Sequence, residues 1–427
     1  MKKIIKISLL LSLCLSTLNA GKNQENRDRL HSVKKAIASV NEVEKKELDV
    51  VDGFVHMFDD AKVTGQLRSL YSDIGYKSSQ DVYATALGGF MKYELAEYKG
   101  FSGGVAFVIS QDVSSLSGDG VAYNDELSSS HRNYTQMSES YLNYSFNGLN
   151  LRAGRQTLDT PLADSDDIRM VSNSFEAYVA TYEYENFTFM GGSLLSWQGY
   201  DAGLDNSWSN TAKDATYFSG VSWSDELIDV NLWYYNINGE VGDTTANNSY
   251  YGDIVGHIQL SKELFLHIGG QYLKQNELDR SGVSSEIYGA MTELVAYGLG
   301  INIAYNKSLK KENKQSFSGF GGGTLFTNMD NMIVDNIAVD RDVDAIVAGI
   351  SYEYKDFNFL YAYGDFCGSS NSLGKEEHIV EQNIGFAYEK EESLTLGAIF
   401  TIQDDREETG INGGDWKNLR VLVAYNF

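Results

Sequence analysis

From residue 62 to the last residue, apolar and polar positions alternate along the chain in short runs. The clearest run, at 418–427, places on one face Leu419, Val421, Val423, Tyr425 and Phe427. Residues 101–110 and 394–403 repeat this pattern. Because successive side chains of a strand point to opposite faces, a period of two predicts strands with one apolar face.

The connections between these runs alternate between short and long. Eight tight turns are predicted at 98–100, 147–148, 185–186, 224–227, 261–263, 297–298, 355–356 and 390–393. Nine longer polar segments separate them, including 111–137, 156–173, 198–214, 306–343 and 404–418. Eight short and nine long connections predict eighteen antiparallel strands, with both chain ends on the short-turn side. We therefore predict an all-β transmembrane antiparallel β-barrel over 62–427, because such barrels pair short periplasmic turns with long external loops.

The first 61 residues follow other patterns. Residues 1–20 combine three lysines, an apolar stretch and a terminal Ala20, which predicts a signal peptide for Sec export. A lipoprotein signal at Cys14 is disfavoured because Leu13 is bulky. Residues 21–61 space apolar side chains by three and four, which predicts a periplasmic helix that rests on the barrel or forms a short coiled coil. A soluble propeller or sandwich would explain the alternation but neither the signal peptide nor the one-sided loop lengths.

Composition and charge narrow the classes of function. The 427 residues include one proline, 28 tyrosines and 20 phenylalanines, as expected where strand ladders exclude proline and aromatic rings favour strands and membrane interfaces. There are 34 basic and 59 acidic residues; loss of three lysines with the signal peptide leaves 31 basic residues and a charge of −28. This excess of acidic residues argues against nucleic-acid binding, which needs a basic surface. Cys367 is the only cysteine after residue 20, so no internal disulfide is expected.

Several segments resemble the OprD-type outer-membrane porins, and more closely those of ε-type Gram-negative bacteria. They are ALGGFMKYE (86–94), GFSGGVAF (100–107), residues 140–178, GFGGGTLFTNM (319–329) and VLVAYNF (421–427). The resemblance implies a barrel of eighteen strands in the outer membrane, with a pore through each monomer and the third external loop folded inward as a constriction. It implies passive diffusion of ions and small hydrophilic solutes, often carboxylates, along a line of basic residues. The resemblance does not decide whether the protein is a monomer or a homotrimer.

The third long segment, 156–173, contains Pro161, the only proline of the chain. Because proline cannot continue a ladder, Pro161 is predicted to end the wall strand and turn the loop into the lumen, with Thr160 extended. Charged side chains crowd this loop: Asp159, Asp164, Asp166, Asp167 and Arg169. We expect the aspartates to stay ionised in a wet lumen, with arginines as their partners.

Strand phase predicts a basic wall facing this loop. The candidate residues for this basic track are Arg68, Lys92, Arg152, Arg155 and Arg420. All but Arg155, which lies near a loop junction, are expected to point inward. Strands 18, 1 and 2 become neighbours on closure, so Arg68 and Arg420 are expected at similar heights. Opposed charges of this kind set selectivity in pores, whereas the alternative is that they only pair with one another and pin the loop.

The remaining candidates are weaker. Phe427 resembles the terminal aromatic residue of the segment that the barrel-assembly machinery reads, and is predicted to be an assembly signal. His257 and His267 are predicted to line the lumen rather than to bind zinc, and the glycine-rich 319–324 is expected in a flexible or inward-folded loop rather than in a phosphate site. No catalytic residues, metal site or cofactor are predicted. A porin is therefore the leading function; the alternatives are a surface adhesin or binding barrel with a plugged lumen, and an outer-membrane enzyme.

Overall fold

The computed structural model describes residues 50–166, 169–204, 207–240, 243–321, 323–391, 393–410 and 413–427. The predicted eighteen-stranded antiparallel barrel is confirmed. Its strands are β1 Lys62–Tyr76, β2 Val82–Glu94, β3 Phe101–Asp112, β4 Asn133–Phe146, β5 Leu149–Gln156, β6 Ser174–Tyr184, β7 Phe187–Gln198, β8 Thr216–Ser224, β9 Ile228–Ile237, β10 Asn247–Ser261, β11 Leu264–Glu277, β12 Ser285–Ala296, β13 Leu299–Ser308, β14 Val343–Tyr354, β15 Phe357–Gly368, β16 Glu377–Lys390, β17 Leu394–Asp405 and β18 Trp416–Asn426. The barrel closes because β1 pairs with both β2 and β18.

The connections lie where the loop pattern predicts them. Eight are short turns at one end of the barrel. Two of these, at Asn147-Gly148 and Tyr297-Gly298, have positive φ at both residues, as tight hairpin turns require. The nine connections at the other end are L1 77–81, L2 113–132, L3 157–173, L4 199–215, L5 238–246, L6 278–284, L7 309–342, L8 369–376 and L9 406–415.

The outward face of the barrel is an apolar band between two rows of aromatic rings. Exposed rings near the short turns include Phe101, Phe146, Tyr184, Tyr297, Tyr354, Phe357 and Phe427. Those near the long loops include Tyr83, Tyr217, Tyr250, Tyr288 and Tyr305. Exposed aliphatic side chains lie between them, such as Leu67, Leu142, Ile254, Ile301, Ile350 and Val423. This distribution matches the hydrocarbon core and the two interfaces of a bilayer.

One helix, α1 Val50–Asp59, precedes the barrel in the described part of the chain. Its Met57 carbonyl accepts a hydrogen bond from the backbone N–H of Ala96, in the short turn after β2, at 3.0 Å. A Cβ at Gly53 would lie 2.1 Å from the Tyr98 ring, so glycine lets the helix approach this turn. Within the described residues, no helix has the length and apolarity to cross a membrane. The predicted signal peptide, Cys14 and the predicted helix up to residue 49 lie outside the described residues.

The longest loop, L7, folds into the barrel. Its buried apolar side chains pack against the inward faces of β10 to β16; they are Leu325, Met329, Met332, Val334 and Ile337. Burial of such side chains stabilises by about 1.5–3 kcal/mol each, which favours one fixed position for this loop. The loop therefore narrows the lumen, and L3 lies against it.

Candidate functional site

L3 forms a small hairpin inside the barrel. Asp159–Thr160 pairs with Ala163–Asp164, and Pro161 and Leu162 make the turn between them. The wall strand β5 ends at Gln156, so the prediction that Pro161 ends it is wrong. The chain has already left the wall at Leu158, whose carbonyl accepts from the Ser165 N–H at 2.8 Å. Pro161 instead supplies the fixed φ that suits the first position of a turn.

The tip of this hairpin is joined to the glycine-rich part of L7. The backbone N–H of Phe320 donates to the Leu162 carbonyl at 2.9 Å, and the N–H of Asp164 donates to the Phe320 carbonyl at 3.2 Å. Gly319 and Gly321 flank this contact with φ of 101° and 82°. A Cβ on Gly321 would lie 2.1 Å from an Asn173 side-chain nitrogen, so glycine is needed for the two loops to meet.

Two buried arginines connect β1 to L3 and L2. Arg68 donates from Nη1 to the Arg169 carbonyl at 2.5 Å. Arg169 donates from Nε to Glu126 Oε2 of L2 at 3.1 Å, and its guanidinium lies 4.9 Å from the centre of the Tyr200 ring. Burial alone would raise the pKa of Glu126, but the charge of Arg169 and the hydrogen bonds from Ser72, Asn124 and Arg169 together outweigh it and lower that pKa. The pair therefore stays charged and holds L2 and L3 together.

Arg420 on β18 is paired with L7 and is only 1 % exposed. Its Nη2 donates to the carboxylate of Asp330, which also accepts from Thr401 Oγ1 at 2.8 Å. Within the described chain, Nε and Nη1 of Arg420 have no hydrogen-bond partner. A buried guanidinium with two unused donors is costly.

The register separates Arg420 from Arg68. Arg420 lies opposite Ser72 on β1, whereas Arg68 lies opposite Ala424. The offset is four residues along the ladder, or roughly 13 Å, so the expectation of similar heights is wrong. The two arginines therefore occupy successive levels of the lumen rather than one ring.

Lys92 and Arg152 lie on the lumen side nearer the short turns. Lys92 Nζ pairs with Glu94 at 3.1 Å and with Glu139 at 3.0 Å. The guanidinium of Arg152 lies 4.4 Å from the centre of the Tyr141 ring, and no carboxylate among the described residues forms an ion pair with it. Lys92 and Arg152 thus share a cluster on the lumen wall with Glu94 and Glu139, in which two positive and two negative side chains balance.

Arg155 does not line the lumen. It lies on the same face of β5 as Leu151 and Ala153, which are exposed on the outer wall, and its partner on β4 is Ser140. The guanidinium is covered by the ring of Trp208 from L4, 4.4 Å from its centre. The period of two decides this: Arg152 points inward, so a residue three positions later points outward.

The acidic residues of L3 form a crowded group. Asp159 is exposed, and Asp164 and Asp166 are half-buried; Asp167 lies outside the described residues. Burial of the Asp164 carboxyl, together with the charges of Asp159 and Asp166, raises its pKa well above the usual value. This raised pKa argues against the expected ionised carboxylate at Asp164.

Asp164→Asn is expected to stabilise the protein increasingly as the pH rises above about 4. A raised native pKa means that the unfolded chain ionises first, so the wild type loses stability from the unfolded pKa up to the native pKa, whereas asparagine does not. The difference in melting temperature between variant and wild type, measured from pH 3.5 upward, tests this. Asp214→Asn, at an exposed L4 position, is the control, and a difference independent of pH would contradict the assignment.

Three residues important to this geometry were not predicted. Glu126 and Asp330 lie in loops, where no period tells which way a side chain points. Glu381 of β16 accepts from the backbone N–H groups of Asn331 and Met332 in L7, at 3.1 and 2.7 Å. The alternation of apolar and polar residues that places Arg420 inward also places Glu381 inward.

The two histidines point inward, as predicted. His257 and His267 are cross-strand partners with their Nδ1 atoms 2.7 Å apart, and His257 Nε2 lies 2.9 Å from Asp229 Oδ2. The imidazoles and the carboxylate thus form a hydrogen-bonded row along the lumen wall, while His267 Nε2 and Asp229 Oδ1 are buried without a hydrogen-bond partner among the described residues.

No protein-family profile matches the sequence, and no curated protein matches it either. Solved structures do match. OccAB2 of Acinetobacter baumannii is 14 % identical with a TM-score of 0.73, over 87 % of this chain and 99 % of that chain. OpdK of Pseudomonas aeruginosa with vanillate is 15 % identical with a TM-score of 0.72, over 87 % and 99 %. OpdL of Pseudomonas aeruginosa is 16 % identical with a TM-score of 0.69, over 86 % and 99 %. These proteins are OprD-family outer-membrane porins, and this chain has their fold.

Proposed function

We propose that this protein is a porin of the Gram-negative outer membrane, integral to the lipid and exported by the Sec route. Its water-filled channel passes ions and small hydrophilic solutes by passive diffusion, with a preference for small carboxylates. The closed barrel, the apolar outward band and the fold shared with outer-membrane porins support the channel. The proposed organisation is a signal peptide at 1–20, a periplasmic helical segment at 21–61 and the barrel at 62–427.

We assign the carboxylate preference to the unused guanidinium donors of Arg420, which are buried against L7 and become reachable when that loop shifts from the wall. Its Nε and Nη1 atoms lack partners among the described residues, at the place where L7 meets the wall. Arg152 adds a second guanidinium group nearer the short turns, beside the Tyr141 ring. Guanidinium groups bind carboxylates through strong, directional hydrogen bonds, so a solute carboxylate gains contacts at these points that a neutral solute lacks. The solved structure of OpdK with vanillate, which is a carboxylate, provides a precedent within this fold.

A liposome-swelling series across small carboxylates, sugars and amino acids tests the proposal. We expect swelling with all small solutes and faster swelling with carboxylates than with sugars of equal size. The alternative is a surface-binding barrel with a plugged lumen. The tight packing of L7 is the observation in its support. That alternative predicts no swelling with any solute.

Phe427→Ser is expected to lower the amount of assembled protein in the outer membrane several-fold. Phe427 pairs with Gly65 through two backbone hydrogen bonds of 2.9 and 3.0 Å, and a Cβ on Gly65 would lie 2.6 Å from the Phe427 ring. The ring thus covers the seam where the barrel closes, and we propose that the assembly machinery reads it. Quantitative blotting of outer membranes measures the effect. Leu419→Ser, on the same strand face, is the control; equal losses would show a general need for apolar residues instead.

A further inference from the structure

Three metal-ligating side chains converge on the outer wall, away from the lumen. Asp365 and Cys367 lie on β15 and His378 lies on β16, next to L8. Cys367 and His378 are direct cross-strand partners, and Asp365 is two positions before Cys367 on the same face. The alternating residues Phe366 and Ile379 are fully buried on the other face. The trio therefore points outward, near the long-loop end of the barrel.

The ligand atoms already have the spacing of a metal site. Cys367 Sγ lies 3.0 Å from Asp365 Oδ1, and His378 Nε2 lies 3.1 Å from the same oxygen. One ligand atom from each residue lies within 4.8 Å of the other two. Ligands about 2.0–2.3 Å from a zinc ion are separated by roughly 3–4 Å in a tetrahedral site, so binding requires only small side-chain rotations.

The surroundings leave these three groups available. The neighbouring carboxylate in the row, Asp344 opposite Cys367 on β14, is occupied by Lys307 at 2.6 Å and by the hydroxyl of Tyr305 at 2.5 Å. Cys367 is exposed, so the sulfur can be reached from the medium. All three residues lie on paired strands, and the fixed backbone limits how far their ligand atoms can move apart.

We propose that Asp365, Cys367 and His378 form a binding site for a thiophilic divalent cation, with Zn²⁺ as its probe. Thiolate, imidazole and carboxylate are the ligands that zinc takes in proteins, and a water molecule completes the tetrahedron. Binding releases the thiol proton of Cys367 to the solvent, because the thiolate is the ligand. His378 binds through Nε2 in the tautomer that carries its proton on Nδ1. The site is independent of the channel function, since none of its ligands faces the lumen.

Cobalt binding to tag-free protein folded in detergent tests this site. Co²⁺ is expected to bind one equivalent and to show a sulfur-to-cobalt charge-transfer absorption with the visible bands of a tetrahedral site; Zn²⁺ should displace it. Cys367→Ser should abolish the charge-transfer band, and His378→Gln should weaken binding by roughly tenfold or more. His131→Gln, at an exposed L2 position, is the matched control and should leave the spectrum unchanged.

Thiol labelling of the unmodified protein gives an answer even where a variant fails to fold. Saturating Zn²⁺ should slow maleimide labelling of Cys367, and a chelator should restore the rate. The proposal is overturned if Co²⁺ gives no sulfur band, if the band persists in Cys367→Ser, or if Zn²⁺ leaves the labelling rate unchanged. Conductance should not respond to Zn²⁺ in either case, which separates this site from the proposed porin function.

Discussion

Replacing Arg68 and Arg420 together with glutamine is expected to lower the flux of a small carboxylate by about tenfold or more, with the flux of a neutral sugar of similar size changed by less than about twofold. Arg420 has two buried guanidinium donors without partners among the described residues. Arg68 lies roughly 13 Å further along the ladder toward the short turns. In the proposed basic track the two charges are successive steps for an anion, and their loss removes attractions that a sugar never makes.

Asp330→Asn separates this explanation from a purely structural one. If Arg420 serves only to pin L7 through Asp330, then Asp330→Asn should behave like the arginine variant toward both solutes. If Arg420 binds carboxylates, Asp330→Asn should maintain or raise carboxylate flux, because it releases a donor from its competing partner. Solute flux and reversal potentials for both variants provide the measurement. Equal effects of the arginine replacements on sugar and carboxylate would mean that the basic track does not exist.

Glu381→Ala is expected to raise single-channel conductance and to make the current noisier. The Glu381 carboxylate accepts the N–H groups of Asn331 and Met332, and its loss leaves two buried donors at a cost of about 1–3 kcal/mol each. L7 can escape this cost only by moving away from the wall. A loop that leaves the wall exposes its donors to water and opens the constriction.

A planar-bilayer comparison of Glu381→Ala with Glu183→Ala provides the test. Glu183 is exposed near a short turn of β6, far from L7, so its replacement removes the same side-chain atoms without touching the constriction. We expect wild-type conductance from Glu183→Ala. A wild-type conductance from Glu381→Ala as well would mean that L7 is held by its apolar contacts alone, or that it does not limit the pore.

The architecture could be predicted because it follows from patterns within short stretches of the sequence. In a strand with one face toward lipid, the period of two follows from burial, and loop lengths follow from which end of the barrel faces the medium. The same phase placed Arg68, Lys92, Arg152 and Arg420 inward correctly. The same alternation also places Arg155 on the outer wall, as the register shows, although this residue lies near the loop junction.

The interior could not be predicted from these patterns, because its contacts are between loops. Nothing in the local sequence pairs Arg169 with Glu126 or Arg420 with Asp330, since each partner is distant along the chain. Pro161 shows the same limit. Its chemistry predicts a break in a ladder correctly, but the tertiary course of L3 decides that the break is a hairpin turn inside the lumen and not the end of β5.

Current through a planar lipid bilayer is the most direct test of the central claim that the barrel is an open, carboxylate-accepting channel. The purified protein should insert as discrete conducting steps, and a carboxylate salt should carry more anion current than a salt of a non-carboxylate anion of similar size. This preference should fall in the Arg68 and Arg420 double variant. Protein that folds and inserts but carries no current would contradict the porin assignment and favour a plugged binding barrel.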